Sequence, residues 1–383
     1  VACISGAVRE PFDPLSAHRT PRASPEMAGP RLVGVALLWA AAAAHEDGAA
    51  APLDVARALA GAGLLSVLEL PAGAETEGSA LEQSGESGTP VVMMHGMGDF
   101  ANNPMGMVPL RKLIAQKASA YVASVALCSN KTQLANCDQE DQMNGFSMVM
   151  DDEVDQFARV VRADAKLSGG FNAIGFSQGN AVIRGYIHRY NDPPVKKFVS
   201  MHGVLMGVSG LPQCPMNVTG LGLFCRGIDA VVSHLGVYSS YVQGHLAQAN
   251  YFRDAENLDE YRKKGHFLPY INNEVKGHEN STYSDNFKSL EKLVLVMAED
   301  DTMVHPKESE HFGYFRDGSR TELVAMQDAP WYTEDWFGLK SLDAEKKIDT
   351  YTTPGNHLRF TEEFLGNTVQ KYFAPAQKMD LLV

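Results

Sequence analysis

Apolar residues fall into two rhythms along this chain. Short, nearly continuous runs occur at 90–94 (PVVMM), 122–127, 171–176 (FNAIGF), 198–201 and 293–297 (LVLVM). Runs of this length predict strands buried on both faces. Between them the spacing opens to three and four residues. Val154, Phe157, Val160 and Val161 share one helical face, Val182, Ile183, Tyr186 and Ile187 another, and a last helix is predicted over 361–373. Strand–helix alternation of this kind predicts an α/β fold with a mostly parallel sheet covered by helices. The absence of an internal repeat excludes solenoids and propellers. From about 204 to 290 the alternation stops and the pattern turns mostly helical. Because strand patterning resumes afterwards, this stretch is expected to be a cap inserted at the carboxyl end of a strand, where it can roof a site.

The rhythm begins only at residue 89, and the 383-residue chain therefore divides into a leader (1–88) and an ordered unit (89–376). Residues 1–26 read as upstream translation or a partial record. Met27 opens a segment with a basic residue (Arg31), an apolar run (32–44) and small residues at its end, the pattern of a secretory signal at 27–44. The Ala-, Gly- and Glu-rich remainder to 88 reads as a pro-region or tether. Elsewhere no apolar stretch is long enough for a spanning helix.

Composition narrows the function. Hydrophobic residues are 45% and charged residues 21%, as in globular proteins, and the net charge of −13 argues against nucleic acid as a partner, since a phosphate backbone attracts basic surfaces. Beyond the leader, Cys128, Cys137, Cys214 and Cys225 form two local pairs with no C-x-x-C. That arrangement argues for two short disulfides in an oxidising compartment and against a structural zinc. Sequons at Asn130, Asn217 and Asn280 are glycosylation candidates and agree with secretion.

The chemistry is carried by Gly175-Phe176-Ser177-Gln178-Gly179, a G-x-S-x-G string that follows a predicted strand and opens a predicted helix. This is the setting of a nucleophile elbow, where small neighbours let a strained turn project the serine. Such a serine needs a base, and the base an orienting acid, in the chain order Ser, Asp/Glu, His. His357, in the polar loop before the last helix, is the expected base. Glu299, Asp300 and Asp301 all follow the strand at 293–297, and spacing leaves the three open as the acid. The loop His95-Gly96-Met97-Gly98-Asp99 after the first strand is expected to supply one oxyanion donor, the Met97 N–H. Gln178, next to the nucleophile, supplies the other.

These blocks, with Asn103-Pro104, Asn172-Ala173-Ile174, Gly210-Leu211-Pro212-Gln213-Cys214-Pro215, His311-Phe312-Gly313-Tyr314-Phe315-Arg316-Asp317-Gly318, Tyr332-Thr333-Glu334-Asp335 and Gly355-Asn356-His357-Leu358, cover about 89–373. Together the sequence resembles the palmitoyl-protein thioesterases, lysosomal α/β-hydrolases. The family pattern places the triad aspartate before a Ser/Thr–apolar–Val stretch and a proline, which here selects Asp301. The resemblance thus implies a triad of Ser177, Asp301 and His357. Cys214 and Cys225 match a cysteine pair of the family's cap, whereas Cys128 and Cys137 have no clear counterpart. The chain departs from the family at Ala101-Asn102, where animal members carry two cysteines, and at Asn180, where they carry a glycine.

What the resemblance implies is removal of palmitoyl and other long-chain acyl groups from cysteine thioesters of proteins or peptides through an acyl-serine, with no metal or organic cofactor. The setting implied is lysosomal or extracellular. Candidate linings of an acyl groove are Met97, Phe100, Leu221, Leu223, Phe224, Ile228, Val231, Val232 and Leu235. Two other functions suit the same residues: a lipase or carboxylesterase acting on oxyesters, and, in a different class, a non-catalytic lipid-binding relative.

Overall fold

A computed structural model describes residues 87–128, 134–210 and 236–375, with backbone only at 134–136. In chain order come β1 (Val91–Met94), α1 (Met107–Ala118), β2 (Val122–Val125), α2 (Leu134–Ser147), α3 (Met150–Ala163), β3 (Phe171–Phe176), α4 (Gly179–Arg189) and β4 (Val195–Met201). Short helices follow: α5 (Ser240–Gln243), α6 (Ala247–Asn250), α7 (Leu258–Lys264), α8 (Leu268–Ile271) and α9 (Ser281–Lys288). The chain then returns through β5 (Lys292–Ala298). A second excursion holds β6 (Tyr314–Phe315), β7 (Leu323–Val324), α10 (Pro330–Thr333) and α11 (Leu339–Ala344), before β8 (Ile348–Thr353) and α12 (Glu362–Phe373).

The main sheet has six strands in the order β2-β1-β3-β4-β5-β8, every neighbouring pair parallel. β1 and β3 are buried along their whole length, as their unbroken apolar runs require in a sheet covered on both sides. Side chains alternate between two cores. Val91 and Met93 pack with Ile114 of α1 and with Leu365 and Val369 of α12. Val92 and Met94 face the other way, with Val154 and Phe157 of α3 and Val182 and Ile183 of α4. This is the α/β-hydrolase architecture expected from the sequence.

Local signals explain several boundaries. In α3 the buried Met150, Val154, Phe157, Ala158 and Val161 make one stripe, and Asp151 and Asp152 sit in the first turn, where the helix dipole favours acids. Thr361 caps α12 by accepting the Phe364 N–H, so the helix starts one residue later than the pattern predicts. β8 was not predicted. Its sequence, IDTYTT, is mostly polar because it lies at the sheet edge and is only partly buried.

Residues 1–86 of the leader, including the signal segment at 27–44, lie outside the described residues. So do Asn130 and Asn217, the pair Cys214 and Cys225, and the groove candidates Leu221, Leu223, Phe224, Ile228, Val231, Val232 and Leu235. The other cysteine pair is joined: Cys128 and Cys137 form a disulfide, tying the loop after β2 to the first turn of α2.

Candidate active site

The residues predicted for catalysis and for the oxyanion follow the carboxyl ends of β1, β3, β5 and β8. β3 ends at Phe176, and Ser177 follows with φ 54°, a left-handed conformation that marks a strained turn between strand and helix. The turn is possible only with small neighbours. A Cβ on Gly179 would stand 2.4 Å from the Met94 carbonyl oxygen, and one on Gly96 2.9 Å from the Ser177 Cβ. The elbow and the loop after β1 therefore touch backbone to backbone. Asn180, in place of the family's glycine, fits because its amide donates to the carbonyls of Ser177 and Met201 (3.1 and 3.0 Å).

His357 comes from the loop after β8. Its Nε2 lies 2.8 Å from the Ser177 Oγ and its Nδ1 2.5 Å from the Asp301 Oδ2. Of the three acids left open by spacing, Asp301 is the one in contact; Glu299 and Asp300 are exposed. The Asp301 side chain is fully buried, and its Oδ1 accepts the N–H groups of Met303 (2.7 Å) and Val304 (2.8 Å). Burial alone would raise its pKa, but the bond to His357 and that ring's charge pull it down to about 2. Asn356, quoted above only as part of a motif, staples the two loops: its Oδ1 accepts the Thr302 N–H at 3.0 Å.

Met97 and Gln178 are placed beside the serine as expected. Among the described residues neither backbone N–H meets an acceptor, so both are free to bind an oxyanion. Behind them lies a buried polar assembly that sequence reasoning missed. His95 Nδ1 donates to the Gly96 carbonyl (3.0 Å) and Nε2 to Asp141 Oδ1 (2.9 Å). Both partners can only accept, so both ring nitrogens carry protons. Burial pushes the His95 pKa down, yet Asp141 outweighs it and holds the imidazole up at about 9. Asp141 also accepts the Ala101 N–H (2.7 Å) and the Leu127 N–H (2.6 Å), fixing the loop after β1. The Gln178 side chain donates to Glu153 (2.9 Å) and accepts from Tyr251 and Gln248 (both 2.9 Å). Burial holds the Glu153 carboxyl well above the usual range, against the pull of the Gln178 hydrogen bond. Asp141 and Glu153 carry no local motif; only the fold brings them to His95 and Gln178.

Ser177 opens onto a cleft that is partly open to solvent. Its walls are Met97, Val204, Val208, Val237, Leu246, Ala249, Tyr251, Phe252, Met303 and Val304, with Gln248 among the few polar groups. Phe100 is buried and is not among the residues that line this cleft. The loop turns away after Gly98, where Asp99 binds the Phe100 N–H (2.8 Å) and Asp141 the Ala101 N–H.

A metal-ligating geometry also occurs here. Atoms of His202, Asp301 and His357 lie within 4.8 Å of one another. Their valences are already used, however. His202 Nδ1 accepts the Leu358 N–H (2.8 Å) and Nε2 pairs with Thr353 (2.9 Å). Burial, then the neighbouring His357, lower the His202 pKa to about 4, so it is a neutral prop for the His357 loop.

Comparison with known proteins follows the same lines. Residues 90–357 match the model of the family described as palmitoyl protein thioesterase. Palmitoyl-protein thioesterase 1 of Caenorhabditis elegans is 37% identical over 286 residues, which is 74% of this chain and 91% of the relative. Palmitoyl-protein thioesterase 3 of Dictyostelium discoideum is 34% identical over 269 residues, 70% of this chain and 84% of the relative. The lysosomal thioesterase PPT2-B of Xenopus laevis is 30% identical over 49% of this chain and 62% of its own length. With a matched stretch that runs from β1 to His357, the chain belongs to the palmitoyl protein thioesterase family and is a thioester hydrolase.

Proposed function

We propose that Ser177 is the nucleophile, His357 the general base and Asp301 the acid that orients it, acting on S-acylated proteins or peptides. The observation that carries this reading is the unbroken chain Ser177 Oγ–His357–Asp301, at 2.8 and 2.5 Å, beside two N–H groups without acceptors. His357 takes the Ser177 proton as the oxygen attacks the thioester carbonyl. The Met97 and Gln178 N–H groups receive the oxyanion, each worth about 2.7–4 kcal/mol in such sites. The protonated His357 faces the buried Asp301 carboxylate, which holds the ring's orientation and favours its cation. The cysteine thiol leaves, an acyl-serine remains, and water activated by the same imidazole releases the fatty acid. The free N–H groups and the pre-formed His357 contacts favour turnover over lipid binding alone.

The apolar cleft supports a long acyl chain as substrate, since each buried methylene contributes about 0.8 kcal/mol. Hydrolysis rates on matched palmitoyl thioester and oxyester substrates test the reading. A thioester rate that exceeds the oxyester rate supports it; the reverse makes the enzyme a lipase or carboxylesterase with the same residues.

The unit that performs this reaction is taken as 89–376, with 204–290 as its cap. A lysosomal location, reached through the secretory pathway by the signal at 27–44, is part of the proposal. It is supported by the name of the Xenopus relative and by the Cys128–Cys137 disulfide. Asn280, whose side-chain oxygen caps α9 by accepting the Thr282 N–H at 3.0 Å, is the glycosylation candidate in described structure.

A further inference from the structure

A second carboxyl group, unused in the reaction above, lies against Asp301. Glu310 sits in the 3-10 turn Lys307–His311 and is fully buried. Its Oε2 accepts the Ala298 N–H at 2.9 Å, while its Oε1 is buried without a donor among the described residues. The neighbour within hydrogen-bonding reach is the Asp301 carboxyl. Both groups hang from the end of β5, because the Asp301 N–H donates to the Ala298 carbonyl at 3.4 Å. The turn itself is pinned by the Met206 N–H to Ser309 Oγ (3.0 Å) and by His311 Nε2 to the Tyr351 carbonyl (3.1 Å).

Two carboxylates buried in contact cannot both stay ionised. Donors decide which one keeps the proton. Asp301 accepts from Met303, Val304 and His357, whereas Glu310 accepts from Ala298 alone. The proton therefore stays on Glu310, whose carboxyl can then donate to Asp301. The other charges facing the pair are few. His357 and His202 stand beyond Asp301, Glu308 and His311 belong to the turn, and no ion pair to Glu310 occurs among the described residues. Burial, reinforced by Asp301, holds the Glu310 carboxyl up at about 11.

We propose that Glu310 is a positioning residue of this enzyme, a carboxylic acid kept neutral whose O–H binds the Asp301 carboxylate and so limits how strongly Asp301 charges His357. The inference rests on Asp301 being the acid of the Ser177–His357 pair.

The test compares wild type with Glu310→Gln, Glu310→Leu and Asp301→Asn, following kcat/KM on a palmitoyl thioester across pH, together with Tm. Gln offers an N–H to Asp301 and a carbonyl to Ala298, so its rate should stay within about threefold and its acid limb should not move. Leu keeps the volume and loses the donor. Its kcat should fall about tenfold or more, and its acid limb should move to higher pH because His357 faces an undiluted negative charge. An acid that keeps its proton while the unfolded chain ionises above the usual 4.5 makes stability fall as pH rises. The Tm advantage of Glu310→Gln should accordingly grow between about pH 5 and pH 8. An acid limb shifted to lower pH in Glu310→Gln would mean that a negative charge was removed, and would overturn the inference. So would a Leu variant equal to wild type in rate and profile. If the Leu variant does not fold by circular dichroism, the limb and Tm of the Gln variant still decide. Undiminished activity in Asp301→Asn would show instead that the acid assignment is wrong, and the inference would fall with it.

Discussion

Asp301 and His95 show how little of a side chain's role is local. Glu299, Asp300 and Asp301 follow one strand, and only burial and contact with His357 separate them. Asp301→Asn should lower kcat by about 10⁴, as loss of an orienting acid does in comparable triads, while Asp300→Asn should change it little. Steady-state kinetics on the two variants would settle the register, and the reverse ranking would show it misread by one. His95 gives a pH dependence of opposite origin. Its folded-state pKa, about 9, lies above the usual 6.5, so its bond to Asp141 stabilises fully below about 6.5 and is lost as pH rises through about 9. The Tm margin of wild type over His95→Gln should therefore shrink across that interval in thermal scans. A margin that grew with pH would mean a neutral ring. The proposed serine and base were legible because G-x-S-x-G and the chain order are local strings, whereas the choice of Asp301 over its two acidic neighbours came only with the family resemblance. Asp141, Glu153 and Glu310 were not, since each meets its partner only through tertiary packing.

At the scale of elements, apolar runs located β3 without error and β1, β4 and β5 to within a few residues, because buried parallel strands write continuous hydrophobic text. The same rule passed over β8, whose edge position tolerates Thr, Asp and Tyr, and over the second excursion between β5 and β8. α2 also escaped, since its sequence is largely polar, yet it carries Asp141 to His95 in the loop after β1 and Gly145 to the Gln178 side chain. The Cys128–Cys137 disulfide holds this helix to the chain after β2. Closing a loop of nine residues' separation should stabilise the fold by roughly 2–3 kcal/mol in the chain-entropy picture. Urea unfolding of Cys137→Ser should show a loss of that size, with a larger fall in activity than stability alone explains, because Asp141 positions Ala101 and His95. An unchanged midpoint would show that α2 is held by its packing.

For the whole molecule, the architecture brings segments near 97, 177, 204–210, 237–252 and 303–304 to one cleft. No single segment advertises a groove, which is why Val208, Leu246 and Phe252 were not among the residues named from sequence. The cleft should set acyl length. Ala249→Trp would fill part of it, and kcat/KM should fall at least tenfold on a palmitoyl thioester while a butyryl thioester is nearly unaffected. Equal losses on both would place the acyl chain elsewhere. The central claim is that one serine at the end of β3 carries the acyl group. Labelling with a serine-directed fluorophosphonate, followed by peptide mapping of the adduct and a parallel palmitoyl-thioester assay of Ser177→Ala, tests it most directly. The expected result is a single adduct on the peptide containing Ser177, with labelling and thioester hydrolysis both abolished in the variant while its circular dichroism is unchanged. An adduct on another residue, or a folded Ser177→Ala enzyme within tenfold of wild-type activity, would contradict it.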